Sequence, residues 1–482
     1  MANNDPVLIP YVIQEGSFWY VAYKERNPFS NGITVSAKGI ANHTSEEIND
    51  GADFGPDSYN PSVTSGVPLT QTSGIQEAIN YGYQLGMATI ELISNKYLIT
   101  QEPIEDPNNS GTYYQIGIPY NSLDNIQITL QIIGIKGIPT YVGPSALFSA
   151  TRKPLMTTLV SQTSSTNTYW VLYALGTSNS TRGGQSNVTV FADGIAFETP
   201  AVTTANGCHL GYCIGISGGM LSAWTTAMYG TTALPTDASG TAFYLSNPNN
   251  ITSPGNYGGG GIIDYISVRG FNVGVVLGVL VHISYYTPNF VGTAVIVGSE
   301  SNDNPYPGYF QAIGTIEVGN VNTVIEAAQS ALLFINMINM GDDTTASGYF
   351  YTRAYFISVP SGVTLTLQIN KRSGNTPLPP NNIVGTLVSG LFSSTAGTTA
   401  GTVFMDMPFN EHRYKKYIIT CTGYENDTTT NQSVDFPQAF DSYAVVTGNS
   451  TGLTVSVTTS GITITSPDST TTYTGIIVIE GY

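Results

Sequence analysis

Short apolar segments separated by Gly, Asn, Pro and Ser recur along this chain, and they predict an all-β protein. In the central part these segments cover residues 126–133, 169–175, 188–191, 262–268, 273–280, 294–297, 315–318 and 332–338. Their spacing is irregular and no repeat has a fixed period, which favours the uneven coils of a right-handed parallel β-helix. Continuous apolar strands such as IQITLQII also suit parallel sheets covered by stacked coils.

One amphipathic helix over residues 74–84 precedes these strands. Its apolar positions share one helical face: Ile75, Ala78, Ile79 and Tyr83. Ser73 and Gln76 fit a capping box at its start, and Gly86 fits a C-cap at its end. Because an unpaired sheet edge templates aggregation, a single helix at this place predicts a lid on the open end of the β-helix.

The pattern divides the chain into four regions. Residues 1–70 form a loop-rich N-terminal region with aromatic, strand-like segments, and residues 71–345 form the β-helix. Residues 346–410 are a β-rich connection. Residues 411–482 hold five short alternating strands, which are typical of a small β-sandwich.

The composition is poor in charge and rich in tyrosine. Charged residues make up 10% of the chain, against about 25% in an average soluble protein. The 31 tyrosines outnumber the 15 lysines and arginines, so hydroxyl and amide groups rather than charged groups must keep the surface hydrated. The net charge of −17 comes from scattered acidic residues, and no basic patch is evident that would bind nucleic acid. We interpret the acidic excess mainly as a source of solubility.

The two ends of the chain resemble parts of known families. The segments DGADFGPDSY, TQTSGIQEAINYGYQLG and TIELISNKYLI resemble the opening of pectate-lyase-like right-handed β-helix proteins, among them viral tailspikes and tail-associated depolymerases. The chain departs from that opening by a long loop, residues 59–70. The C-terminal segments HRYKKYIITCTGYENDTTT and STGLTVSVTTSGITITSPDSTTTYTGIIVIEGY resemble the terminal β-domains of tail fibres from phages and archaeal viruses.

The resemblance implies a virion structural protein, a tailspike or fibre that attaches to host-surface glycans. It further implies a homotrimer whose N-terminal region binds other virion proteins and whose C-terminal domain trimerises or binds the receptor. The N-terminal MANNDP lacks the basic and apolar parts of a signal peptide, and the longest apolar run, residues 273–283, is too short to span a bilayer. We therefore expect synthesis in the host cytoplasm, a place on the virion surface and no membrane insertion.

The alternative function is a polysaccharide depolymerase, a lyase or glycosidase, on the same fold. Such an enzyme needs two positioned carboxylates or a carboxylate with a basic residue. The β-helix region offers Asp193, Glu198, Asp264, Arg269, Glu300, Asp303, Glu317 and Glu326. Acids that flank strands are also typical of solvated turns, so we predict no catalytic pair and favour attachment over catalysis. A cellular surface adhesin is disfavoured by the missing export signal.

Aromatic residues in a loop-rich stretch are the predicted glycan-binding site, since binding residues often lie on loops of a rigid scaffold. They are Tyr285, Tyr286, Tyr306, Tyr309 and Phe310. The competing interpretation is that these rings fill loop packing.

The motif CHLGYC places His209 between Cys208 and Cys213. A metal site, a small-loop disulfide and two small buried residues all fit this spacing, and no second cluster of ligands supports zinc. We predict no metal and no cofactor.

Overall fold

A computed structural model of the chain describes 33 strands and one helix. The described residues are 8–15, 17–26, 32–37, 52–122, 126–136, 156–163, 165–177, 185–226, 239–246, 260–278, 281–297, 311–319, 321–328, 331–340, 355–359, 363–373, 383–385, 398–399, 402–409, 412–424, 432–436, 439–440, 443–465 and 473–481. Within them, no helix has the length and apolar character needed to cross a membrane.

The chain divides into two compact units, Met1–Val275 and Val276–Tyr482. The elements of the first unit are β1 (Leu8–Glu15), β2 (Phe18–Glu25), β3 (Ile33–Val35), α1 (Ile75–Leu85), β4 (Met87–Leu92), β5 (Lys96–Ile99), β6 (Ile104–Glu105), β7 (Tyr113–Ile118), β8 (Ile128–Gly134), β9 (Thr157–Ser161), β10 (Tyr169–Ala174), β11 (Ser186–Asp193), β12 (Ile195–Thr199), β13 (Ala205–His209), β14 (Cys213–Thr225), β15 (Ser239–Tyr244) and β16 (Gly261–Arg269). Strand β17 (Phe271–Leu277) contains the boundary.

Successive coils of the first unit pair in parallel along three runs of strands. Sheet 1 contains β3, β4, β8, β11 and the first half of β14. Sheet 2 contains β5, β9, β12, the second half of β14, and β16. Sheet 3 contains β7, β10, β13 and β15, with β6 antiparallel at its edge. This pairing confirms the predicted parallel β-helix.

The interior is built from aligned apolar side chains. In sheet 1, Leu130 pairs with Val190 and Val190 pairs with Ile216, and all three are buried. Across the interior, the ring of Phe197 in sheet 2 meets Phe243 in sheet 3 edge to face, with centroids 6.0 Å apart. Because side chains alternate along a strand, the neighbours of these residues point away from the interior.

Helix α1 covers the N-terminal end of this stack and buries Ile75, Ala78 and Ile79. The C-cap prediction is confirmed, since Gly86 adopts a left-handed conformation and donates its N–H to Tyr83. The predicted capping box is wrong. The Ser73 hydroxyl donates to the Leu98 carbonyl instead.

Other hydrogen bonds fix the first turn of the helix in place of the predicted capping box. The Gln76 side chain bonds both backbone groups of Gly117, at 2.6 and 2.8 Å, and so ties the helix to β7. The Thr72 hydroxyl accepts the Gln76 N–H at 3.2 Å. Thr70 and Thr72 also donate to Glu77, whose carboxyl pKa is raised by burial and lowered in part by these bonds.

The Asp/Gly-rich segment that precedes the helix, residues 52–59, packs against the start of the helix, and we call it the lead-in. A Cβ on Gly74 would lie 2.5 Å from the Gly55 nitrogen, so the two backbones touch in a way that no larger residue allows. The Asp53 carboxylate accepts both the N–H and the hydroxyl of Thr34, which fixes the lead-in to β3. Asp53, Gly55 and Gly74 belong to the segments that resemble the opening of known β-helix proteins. In this structure they have a packing role.

Before the lead-in, β1 and β2 form an antiparallel hairpin. The β1 backbone is held by the Val12 N–H, which donates to the backbone carbonyl of Asp57 at 2.8 Å, while β2 pairs with β1 alone within the described residues. Strand β2 is exposed along most of its length, and Phe18 and Tyr23 are 67% and 62% exposed.

The second unit begins with parallel strands and ends with antiparallel ones. Its elements are β18 (Val281–Asn289), β19 (Val291–Val297), β20 (Gln311–Val318), β21 (Val321–Ala327), β22 (Ala331–Met340), β23 (Tyr355–Val359), β24 (Thr364–Ser373), β25 (Ile383–Gly385), β26 (Thr398–Thr399), β27 (Thr402–Phe409), β28 (His412–Tyr424), β29 (Gln432–Asp435), β30 (Ala444–Asn449), β31 (Thr454–Val457), β32 (Gly461–Thr465) and β33 (Tyr473–Gly481).

Two parallel sheets form the first part of this unit: β18, β20, β22, β24 and β27 in one, and β19, β21, β23 and β25 in the other. Two antiparallel sheets, β28–β33–β30 and β29–β32–β31, form the last part. They share one apolar core, in which Tyr417, Phe436 and Phe440 pack ring against ring. This confirms the predicted sandwich-like C-terminal domain, while the boundaries of the four regions stay predictions.

The lid role of α1 can be tested by placing a charge on each of two neighbouring helix residues. Ile79 is fully buried and Asn80 is exposed. We expect Ile79→Asp to destabilise the fold by several kcal/mol and to lower the soluble yield, because it buries an unpaired charge and lifts the helix off the sheet ends. Asn80→Asp serves as the control. Equal melting temperatures for the two variants, measured by circular dichroism, would contradict the lid role.

Candidate functional site

Six rings gather on the outer face of sheet 3, and we call this cluster the aromatic platform. Its members come from β7, β10, β13, β15 and the loop after β13: Tyr114, Trp170, Tyr173, His209, Tyr212 and Tyr244. Phe243 faces the interior, so Tyr244 beside it faces outward. The platform therefore lies on the solvent side of the coils.

The register of the coils puts these rings in line. Tyr173 pairs with His209, and His209 pairs with Tyr244, in three successive coils. Their ring centroids are 4.9 and 4.6 Å apart, and the His209 and Tyr244 planes differ by only 5°. The edge of Trp170 meets His209 at 5.0 Å and Tyr244 at 5.9 Å.

Two glycines make room for two of the rings. A Cβ on Gly117 would lie 2.7 Å from the Tyr114 ring, which folds over this position and stacks on Tyr173 at 5.8 Å. A Cβ on Gly176 would lie 2.3 Å from the Tyr212 ring. The platform thus depends on small residues as much as on aromatic ones.

The outer rings of the platform remain accessible. Tyr114, Trp170 and Tyr244 are half-buried, while Tyr173, His209 and Tyr212 are buried beneath and between them. Half-buried aromatic rings with polar edges offer an apolar surface together with hydrogen-bonding groups. Such a surface suits a ligand that has flat apolar faces and many hydroxyls.

His209 is held neutral inside the cluster. Its Nδ1 is buried and, within the described residues, has no hydrogen-bond partner. Burial lowers the pKa of His209 to about 3. Burial also raises the pKa of Tyr173 well above its usual range, with further contributions from Tyr212 and Asp106. The platform is therefore uncharged at neutral pH.

A second group lies on the outer face of sheet 2, and we call it the Glu198 ladder. Glu198 on β12 pairs with Trp224 on β14, and Trp224 pairs with Arg269 on β16. Trp224 Nε1 donates to the Glu198 carboxylate at 3.1 Å. The three residues are 7%, 1% and 4% exposed, so the ladder is covered rather than open.

Two serines lie beside the ladder, each two residues before a ladder residue on the same strand: Ser222 before Trp224 and Ser267 before Arg269. Ser222 pairs with Ser267, and both hydroxyls are buried without a hydrogen-bond partner among the described residues. The structure thus brings two predicted candidates, Glu198 and Arg269, onto one face together with Trp224, which the sequence did not single out.

Asp193 has a structural role. It ends β11 where the chain bends into β12, accepts the Met220 N–H at 2.8 Å and forms an ion pair with Lys136. Asp264 is exposed on β16. Neither residue belongs to the Glu198 ladder.

Two of the acids predicted farther along the chain are described, and they lie on different strands, Glu317 on β20 and Glu326 on β21. Glu317 accepts hydrogen bonds from Tyr285 and Asn339. Glu326 accepts the Thr293 hydroxyl at 3.4 Å. Glu300 and Asp303 lie outside the described residues.

The predicted glycan-binding aromatics fall in different places. Tyr285 and Tyr286 lie within β18 rather than in a loop. Tyr286 is 0% exposed and donates its hydroxyl to the Ala294 carbonyl, so its ring is part of the core and presents no surface to a sugar. Tyr306, Tyr309 and Phe310 lie outside the described residues.

The cysteine motif contributes packing. Cys208 and Cys213 are buried free thiols, and burial raises the pKa of both. Among the described residues, no three side chains of His, Cys, Asp or Glu come together in a way that could hold a metal ion.

The sequence reasoning missed the platform because its residues are far apart along the chain. A signal was present in YWVLYAL and CHLGYC, which place aromatic residues and a histidine on two adjacent coils. Only the pairing of Tyr173 with His209 and of His209 with Tyr244 aligns them.

Comparisons with known proteins give a structural likeness but no match by sequence. No protein-family profile matches the chain. No curated protein matches it either. Among solved structures, the chain is similar to the tailspike protein gp49 of Acinetobacter baumannii bacteriophage Fri1, a capsular polysaccharide depolymerase, at 8% identity. The likeness covers 99% of this chain and 90% of that one with a TM-score of 0.20, so it carries no argument and the fold rests on the strand pairing.

The burial of His209 predicts a pH dependence of stability. The folded pKa of about 3 lies below the unfolded value of about 6.5, so the unfolded chain binds the extra proton between these limits. The free energy of unfolding should be unaffected by His209 above pH ~6.5 and should fall as the pH drops toward 3.

His209→Phe removes the titration and keeps a ring in place. Between pH 7 and pH 4.5, we expect the wild type to lose about 2–3 kcal/mol more than this variant in urea unfolding. The same pH dependence in both proteins would show that His209 is not held neutral by burial.

Proposed function

We propose that the chain is a virion structural protein, a tailspike or fibre, that attaches to glycans on the host surface through the aromatic platform. The observation that carries the proposal is the row of half-buried rings, Tyr114, Trp170 and Tyr244, on three different coils of a rigid scaffold. Coils are stacked about 4.8 Å apart, so the rings form a strip that runs across the strands. A chain of sugar rings lies naturally along such a strip.

Composition supports an attachment role at an outer surface. Only 10% of the residues in the chain are charged, so its polar surface consists mainly of hydroxyl and amide groups. These are hydrogen-bonding groups of the kind that polysaccharides use. The resemblance of both chain ends to viral β-helix and fibre proteins points the same way. We place the protein on the virion surface for these reasons.

The N-terminal hairpin supports the proposed contact with another virion protein. Among the described strands, β2 pairs with β1 alone, and it carries exposed aromatic side chains, including Phe18 and Tyr23. A strand at the edge of a sheet can take up a strand from a partner. Crosslinking of the hairpin in intact particles would identify that partner, and no crosslink to a particle protein would count against it.

The proposed homotrimer follows from the resemblance of the C-terminal sandwich to fibre termini. Sedimentation of the full chain measures this directly. A monomer at micromolar concentration would contradict it.

Glycan binding through the platform can be tested with a matched pair of tryptophan variants. Trp170 belongs to the platform, and Trp19 lies on the exposed hairpin. On a panel of immobilised glycans, we expect Trp170→Ala to lose about tenfold in affinity, equivalent to ~1.4 kcal/mol, because it removes a stacking ring. Trp19→Ala should bind as the wild type does.

Both variants should be compared with the wild type by circular dichroism, so that a folding defect is separated from a binding defect. A wild type that binds no glycan, or a folded Trp170→Ala that keeps full affinity, would contradict the platform as the attachment site.

The Glu198 ladder favours a second candidate function, a polysaccharide depolymerase. A carboxylate and a guanidinium on one face are the groups that a lyase or glycosidase uses. Their burial is the reason that we rank this function below attachment, since an open groove is expected of an enzyme that acts on polymers.

Incubation with purified host glycan distinguishes the two functions. Under attachment alone, the glycan keeps its length. Release of oligosaccharide by the wild type, lost in Glu198→Gln but kept in Asp264→Asn, would establish the depolymerase and assign the carboxylate.

A further inference from the structure

A cavity of about 410 Å³ opens on the outer face of sheet 2, at its N-terminal end. Its walls come from the lead-in, the start of α1 and strand β5, and they include Thr70, Gln71, Ser73, Lys96, Leu98 and Thr100. We call it the Lys96 pocket. Its volume is at the lower end of the range of about 300–1,000 Å³ for small-molecule sites, which suits a single small ligand.

The charge of the pocket is opposite to that of the chain. Among the described residues that line it, Lys96 is the one that carries a charge, and no carboxylate is present. Lys96 is exposed, and within the described part of the chain its ammonium group has no hydrogen bond or ion pair. In a chain with 32 acidic and 15 basic residues, an unpaired cation in a cavity selects for an anion.

The hydroxyls of the pocket are arranged as acceptors. The Ser73 hydroxyl donates to the Leu98 carbonyl at 2.7 Å, and the Thr100 hydroxyl donates to the Gln71 carbonyl at 3.3 Å. Their protons are committed, so they offer lone pairs to a ligand. A complementary ligand therefore brings its own hydroxyl protons, while Lys96 and the Gln71 amide supply donors to an acidic group.

Backbone strain marks the same pocket. Ser73 has a φ of +54°, one of two positive values among the non-glycine residues that the structure describes. Such a conformation costs on the order of 1 kcal/mol or more and persists only where the surrounding structure holds it, and strained residues of this kind cluster at functional sites such as ligand clamps. Here the bond to Leu98 holds the Ser73 side chain at the pocket wall.

We propose that the Lys96 pocket binds a polyhydroxylated carboxylate, such as a sugar acid. The carboxylate pairs with Lys96, and the ligand hydroxyls donate to Ser73 and Thr100. The site is separate from the aromatic platform, and the inference stands whether or not the platform binds glycans.

The test is calorimetry of the full chain with D-glucuronate as the probe and D-glucose as its neutral counterpart. We expect glucuronate to bind and glucose to bind at least tenfold more weakly, because a charge-assisted hydrogen bond is lost. Binding of neither sugar, or equal binding of both, would overturn the proposal.

Variants of Lys96 separate charge from folding. Because the Lys96 side chain is exposed and its ammonium group has no hydrogen bond or ion pair among the described residues, Lys96→Gln and Lys96→Arg should melt as the wild type does. Lys96→Gln should lose at least tenfold in affinity for glucuronate, and Lys96→Arg should stay within about threefold. Lys136→Gln removes a cation outside the pocket and should leave affinity unchanged. Equal affinity of Lys96→Gln and wild type would refute the site.

A last comparison identifies the source of the ligand. An oligosaccharide that ends in glucuronate should bind at least as tightly as the free acid if the pocket receives the end of a polymer. If only the free acid binds, the pocket takes a small metabolite instead. Failure of both overturns the site but leaves the platform proposal untouched.

Discussion

The parallel, in-register stacking of coils is the constraint on which the rest of the first unit depends. Once Leu130, Val190 and Ile216 align on the inside, the residues beside them are forced outward in equally aligned rows. The aromatic platform and the Glu198 ladder are outward rows of this kind. Function on this scaffold is therefore a matter of which side chains occupy the same place in successive coils.

Stacking also creates an open end of the β-helix, and helix α1 and the lead-in cover it. Helix α1 lies on the first coil, Gln76 bonds the backbone of β7, and the Gly55 and Gly74 backbones touch. The same fit leaves a cavity between the lead-in and β5, with Lys96 at its wall. The structural cap and the proposed ligand site are consequences of one arrangement.

The aromatic platform, the Glu198 ladder and the Lys96 pocket differ in the charged groups that they contain. The platform excludes charge, since His209 is kept neutral by burial among rings. The Glu198 ladder buries a carboxylate and a guanidinium together with a tryptophan, and the Lys96 pocket leaves one cation open to solvent. In a chain with so few charged residues, these differences set the chemistry that each face can offer.

The sequence by itself determined the fold class. Apolar spacing predicted α1 within one residue at each end, and most of the segments in the β-helix and the C-terminal sandwich, because local periodicity reflects burial of one face. Capping was misjudged because Ser73 and Gln76 bond distant backbone groups, at Leu98 and Gly117. The candidate sites were decided only by tertiary structure. Tyr173, His209 and Tyr244 lie up to 71 positions apart, and the physical reason they meet is inter-coil register, which no local pattern encodes.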